Sequence, residues 1–184
     1  MQMTRPEGML RHTFGRCAFQ RYRERTMGFW GCVEYLAASG IASFILGRIL
    51  PKRWFHHNKF PYMQYPFEHG GKIYEKLRIR SWHRKLPDMS RIFPRLMPPK
   101  SFGFNEVHRL PDMIQETCVA ELIHGLLCFV GLHCISIWQG FGGILVAVLN
   151  ILGNLPFILI QRYNRPRLLR LMNNAGRRKS LCEC

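Results

Sequence analysis

A chain of 184 residues with 27 Lys and Arg against 11 Asp and Glu carries a formal charge of +16, a balance that suits an anionic partner. Its apolar residues stand in three long blocks rather than spread at regular spacing. This excludes an ordinary soluble domain with one core, and it excludes a nucleic-acid module, which has no use for runs of about twenty apolar residues. Seven cysteines at irregular spacing exclude a disulfide framework.

Residues 1–28 form a basic segment with six arginines, and Arg21-Tyr22-Arg23-Glu24-Arg25 leads directly into the first apolar block. That block, 29–50, is longer than the apolar core of a cleavable signal and is interrupted only by Glu34 and Arg48. It is expected to be a first membrane helix, and Ala37-Ala38-Ser39-Gly40 gives it a patch suited to close helix packing.

Residues 51–117 hold 13 Lys and Arg among many aromatic rings and prolines, so they read as a cytoplasmic or interfacial region of short elements. Within it, Ile73, Leu77, Ile79 and Trp82 recur at roughly helical spacing, which predicts an interfacial helix from Gly71 to Lys85. His83 and Asp88 have the His-x4-Asp spacing of glycerolipid acyltransferases, a weak signal in a chain with eight histidines.

The second and third blocks, Cys118 to Trp138 and Phe141 to Ile160, are joined by Gln139-Gly140 alone. So short a link makes 118–160 a transmembrane hairpin whose backbone polar groups must be satisfied within the helices. Asn150 and Asn154 are expected to reach across to a neighbouring helix, and Pro156 removes one hydrogen bond from its own. The fold class is therefore mainly α, an integral membrane protein with about three membrane helices and a basic C-terminal tail at 161–184.

The hairpin puts the middle region and the tail on one side of the membrane, and together they hold 20 of the 27 basic residues. The positive-inside rule makes that side the cytoplasm. The six arginines of the N-terminal segment would then face the wrong way if the first block spans, which is resolved by a start at Met27 or by a re-entrant first block.

Three features carry possible chemistry. Glu121 and His124 lie one turn apart within an apolar segment, with Glu116 nearer the surface. Ionisable side chains there are costly and default to function. Their simplest chemistry is acyl transfer, His124 acting as base on a hydroxyl while Glu121 or Glu116 fixes its tautomer. A lone Glu-x-x-His falls short of the paired motif of a di-iron site, and Cys182 and Cys184 make a poor metal pair, so no metal is expected. Arg162, Arg165 and Arg167 offer planar forks for the phosphates of an acyl-CoA or acyl-carrier thioester. No other cofactor is implied.

Trp82, Lys85 and Asp88, then Glu116-Thr117 with Ala120-Glu121-Leu122-Ile123-His124, then Asn154-x-Pro156 and Gln161-Arg162-Tyr163-Asn164-Arg165-Pro166-Arg167-Leu168, occur in an order that resembles the bacterial glycosyl-4,4'-diaponeurosporenoate acyltransferases of staphyloxanthin-type carotenoid biosynthesis. The resemblance runs from Phe67 to Lys179. It implies a multi-pass enzyme of the bacterial cell membrane that esterifies a hydroxyl of a glycosylated isoprenoid or related glycolipid with a fatty acyl group. Its partners would be membrane lipids, a fatty acyl donor and the glycolipid acceptor. By the same resemblance Trp82, Lys85, Asp88, Asn154, Gln161, Tyr163 and Asn164 join the arginines as substrate-binding candidates. The position of His83 is not regularly histidine in that family, which favours Glu121 and His124 over the His83 pair. The competing reading is a non-catalytic scaffold or assembly factor that binds anionic lipids.

Overall fold

The computed structural model describes residues 7–82 and 104–182, with side chains for 26–82 and 107–177. All described elements are helical. Helix α1, Glu7–Ile49, runs unbroken and stops just ahead of Pro51, whose ring disfavours helical geometry in the residue before it. Short 3-10 turns follow at Lys52–Trp54 and Pro66–Gly71.

The expected interfacial helix is two short ones, α2 at Lys72–Lys76 and α3 at Ile79–Trp82. Arg78 between them has a φ of 50°, a left-handed conformation that a continuing helix does not admit. The break turns Ile79 inward, where it is fully buried. The remainder of that expected helix, with His83, Lys85 and Asp88, lies outside the described residues.

The second apolar block begins its helix eight residues earlier than its hydrophobicity suggests. Helix α4 spans Leu110–Gly131. Pro111 and Asp112 occupy its first turn, where a missing N–H costs nothing and a negative charge meets the helix dipole. Leu110 and Ile114 extend it because both are buried with Leu168. After a turn at 132–133, the one-turn helix α5, Cys134–Ile137, completes the block. Helix α6 then runs from Phe141 through the expected end of the third block to Cys182, with Pro156 and Pro166 inside it. The tail is thus a continuation of the membrane helix rather than a separate segment.

Three stretches are long and apolar enough to cross a membrane, Thr26–Ile49, Val107–Ile137 and Phe141–Arg177. Their apolar side chains point outward: Ile41, Phe129, Phe141 and Leu149 are all more than half exposed. In water such a surface would be a large penalty, whereas in lipid it is the solvated face. The chain is a mainly α membrane protein.

The chain divides into two compact units. The first, Met1–Ser43 with Leu127–Leu152, is held by close helix approach. The Cys32 thiol lies 3.6 Å from the carbonyl oxygen of Cys134, and the Tyr35 hydroxyl donates to the carbonyl of Val130. The Asn150 amide donates to the carbonyl of Leu127 at 2.8 Å, so this amide does reach across the hairpin. Gly140 makes the turn with a φ of 93°. A Cβ at Gly143 would lie 2.6 Å from the carbonyl oxygen of Cys134, so the backbones meet there as only glycine allows.

The second unit, Phe44–Leu126 with Gly153–Cys184, has three buried clusters. Phe55 packs on Cys118 and Val119, Tyr74 and Ile79 on Tyr163, and Leu110 and Ile114 on Leu168. Each cluster ties α4, α6 or the connecting segment to another part of the same unit, and a charged cluster lies among them.

Candidate active site

Within the second unit α4 and α6 run antiparallel, as their pairings show. His124 meets Asn154, Glu121 meets Arg162, and Thr117 meets Arg165. Residues three and four apart share a helix face, so each helix presents one ladder of polar groups to the other.

The centre of the ladder is an ion cluster. Glu121, 9% exposed, accepts from Arg162 Nε at 2.7 Å with one oxygen and from Arg165 Nη2 with the other. The connecting segment supplies the second carboxylate, Glu68, which accepts from Arg162 Nη1 and from the Tyr74 hydroxyl at 2.7 Å. The remaining guanidinium edges donate to backbone and hydroxyl oxygens: Arg162 Nη2 to Pro61 at 2.8 Å, Arg165 Nη1 to Tyr62 at 2.7 Å, and Arg165 Nε to Thr117 Oγ1 at 3.0 Å. The rings of Tyr65 and Tyr62 lie beneath Arg162 and Arg165 at 5.0 and 5.7 Å.

Two cations and two carboxylates cancel. Isolated charges so placed would cost several kcal/mol each, and charge pairing with a hydrogen bond from each guanidinium nitrogen removes most of that. Among the described residues no buried side-chain nitrogen or oxygen lacks a partner. Burial also raises the Tyr74 phenol well above its ordinary range, and its bond to Glu68 adds to the shift, so it stays a donor.

The three arginines expected to offer planar forks to an anionic carrier differ in their surroundings. Each guanidinium nitrogen of Arg162 and Arg165 donates to an internal acceptor, three of them supplied by α4 and three by the connecting segment. Arg167 is the exposed member, its guanidinium 5.0 Å from the Tyr163 ring.

His124 stands one turn beyond Glu121, half-buried, its ring stacked on Phe157 at 4.7 Å with planes 9° apart. Its Nδ1 lies 2.9 Å from Asn154 Oδ1. An amide oxygen only accepts, so Nδ1 carries the proton and Nε2 keeps its lone pair. The tautomer is that of a base, fixed by Asn154 rather than by Glu121, both of whose oxygens are taken. Glu116, expected near the same histidine, pairs with Lys52 at 2.7 Å at the surface.

The other expected site residues sit around this ladder. Tyr163 is buried against Tyr74 and Ile79, with Trp82 packed beside them and its indole donating to the Leu77 carbonyl at 3.0 Å. Gln161 and Asn164 are half-buried on α6. A shallow depression opens over the ion cluster, lined by His57, Tyr62, Gln64, Glu68, Arg162 and Arg165.

Glu68 is the functional candidate that pattern reading passes over. Its signal is charge contrast: Glu68 and Glu75 are the two acids among residues 51–82, in a stretch otherwise rich in Lys and Arg. A buried acid in a basic stretch demands cationic partners.

The sequence profile of the glycosyl-4,4'-diaponeurosporenoate acyltransferases matches residues 51–174, which contain the whole polar ladder. The enzymes of that name from Staphylococcus aureus strains N315 and MRSA252 are each 30% identical to this chain over 138 residues, covering 72% of it and 81% of their own length. The strain Newman enzyme is 30% identical over 141 residues, with 82% of its length covered. No solved structure matches.

Proposed function

The chain belongs to the glycosyl-4,4'-diaponeurosporenoate acyltransferase family, and from that premise we propose that it transfers a fatty acyl group from a thioester donor to a sugar hydroxyl of a glycosylated isoprenoid or related glycolipid. The single observation that carries the chemistry is the His124 and Asn154 pair, an oriented imidazole at membrane depth with Nε2 free to take a proton.

In this reading the acyl chain lies in the bilayer beside α4 and α6, and the sugar approaches from the polar end of the ladder. Nε2 of His124 removes the proton of the attacking hydroxyl. The hydroxyl oxygen bonds to the thioester carbonyl carbon, the carbon–sulfur bond breaks, and the imidazolium returns the proton to the leaving thiolate. Asn154 holds the imidazole in register throughout and is a positioning residue.

The ion cluster supports this step indirectly. Arg162 and Arg165 clamp the connecting segment onto the hairpin through Pro61, Tyr62 and Glu68. The donor is a CoA or carrier thioester, and Arg167 is the cation of the signature string left to meet its phosphates. The basic connecting segment and tail face the cytoplasm, where such thioesters are made.

The test is lipid mass spectrometry of cells expressing the chain, with purified membranes for kinetics. His124→Ala is expected to lower kcat by roughly 100-fold or more, the usual contribution of a general base. Transfer at near wild-type rate by that variant would remove His124 from the mechanism.

A further inference from the structure

We infer that Phe157 is a positioning residue of the transfer step: its ring holds the His124 imidazole by one face and attracts the positive charge that the imidazole gains on taking the hydroxyl proton. The inference rests on the base reading above and adds what stabilises the imidazolium.

The need for such a group follows from what surrounds the histidine. Among the described residues, the groups in hydrogen-bond or ring contact with His124 are Asn154 and Phe157. A base that accepts a proton away from bulk water becomes a cation where cations are poorly solvated. The nearest carboxylate in the sequence, Glu121, already serves Arg162 and Arg165 with its two oxygens. Asn154 is neutral and offers the dipole of an amide.

Phe157 supplies a further attraction. Its ring centroid lies 4.7 Å from that of His124, with the planes 9° apart. The face of a benzene ring is the negative part of its quadrupole, and a cation within about 6 Å of the centroid is drawn to it. The neutral imidazole of the resting enzyme gains packing from this stack. The imidazolium gains packing and charge attraction together. The contact is therefore stronger at the transition state than in the ground state, which is the condition for lowering the barrier.

The sequence places both contacts on one helix. Asn154 and Phe157 are three residues apart on α6 and share a face, while Leu155 between them is exposed. A hydrogen bond at Nδ1 alone leaves the imidazole free to swing about the bond axis. A stack against one side of its plane removes that freedom, so Nε2 is held in one direction.

The experiment replaces Phe157 with mono-, di- and trifluorinated phenylalanines, which keep the shape of the ring while draining charge from its face. Transfer is measured in purified membranes with palmitoyl-CoA as donor and glycosyl-4,4'-diaponeurosporenoate, the compound in the family's name, as acceptor. We expect kcat to fall with each added fluorine, to about tenfold below wild type for the trifluorinated ring. KM for the acceptor should stay within about twofold, because Phe157 acts on the histidine and not on substrate. Cyclohexylalanine at the same position keeps the apolar bulk without the π face, and it should lose at least as much. Equal kcat across the fluorinated series, a cyclohexylalanine variant as active as wild type, or a loss carried by KM assigns Phe157 to packing and overturns the inference, with the base reading left in place. Near wild-type transfer by His124→Ala removes the base reading instead. Membranes of wild type that transfer nothing would sink both.

Discussion

At the residue scale the decisive fact is that Glu121 serves two arginines and His124 serves an amide. Glu121→Gln leaves two buried guanidinium groups facing one remaining carboxylate, and uncompensated buried charge costs about 3–5 kcal/mol. Glu68→Gln removes one arginine's partner while the amide can still accept from Tyr74, so its cost is smaller. Thermal unfolding of the two variants in detergent should rank them in that order, and an equal or reversed ranking would contradict the cluster. Tyr74 adds a pH signature. Its phenol holds its proton more tightly folded than unfolded, so the unfolded chain ionises first, near its ordinary pKa of about 10. Stability present below that pH should decline as pH rises above it, and Tyr74→Phe should flatten that decline.

The sequence makes His124, Asn154 and the arginines visible as costly polar residues in apolar surroundings. It does not reveal who pairs with whom. Glu121 and His124 are adjacent on one helix, which suggests a pair. Longer side chains from α6 reach Glu121 first, and an arginine with its fixed charge outcompetes a neutral imidazole for a carboxylate. Adjacency along a helix says nothing about competitors from another one.

At the element scale the helix ends depart most from their apparent limits. Block boundaries read from hydrophobicity end where apolar residues end, but α4 and α6 continue into polar sequence because Leu110, Ile114 and Leu168 bury one another there. Arg78 breaks a helix that periodicity alone would carry through. The hairpin itself is fixed by close approach. A Cβ on Gly131 would overlap the Asn150 amide, so Gly131→Ala is expected to destabilise the protein by about 1–3 kcal/mol through overpacking. Asn150→Ala opens that space and loses the bond to Leu127. The double variant should therefore be more stable than the sum of the two losses predicts, and strict additivity in a double-mutant cycle would show that the contact is absent.

At the scale of the whole molecule, composition foretells the membrane and the three spans, since a bilayer imposes length and apolarity that leave a mark in any sequence. It does not foretell that the connecting segment becomes part of the site. Pro61, Tyr62, Glu68 and Tyr74 contribute a backbone carbonyl or a side chain each, and none stands in a pattern with the groups it serves.

The pairing of Glu121 with Arg162 and Arg165 also constrains biogenesis. The partners are 41 and 44 residues apart, so a growing chain must expose α4 to the insertion machinery well before its counter-charges have been synthesised. A carboxylate within a lone apolar helix carries an insertion cost of up to roughly 2.5–3.5 kcal/mol, the value at the helix centre. Helix α4 should therefore linger at the translocon until α6 arrives, and the two should enter lipid together. Because the span at 26–49 would anchor any longer chain, the test uses fragments that begin at residue 51: one that ends at residue 150 is expected to remain extractable from membranes by alkaline carbonate, whereas one that ends at residue 177 should resist it. Equal resistance would mean that α4 integrates without its arginines.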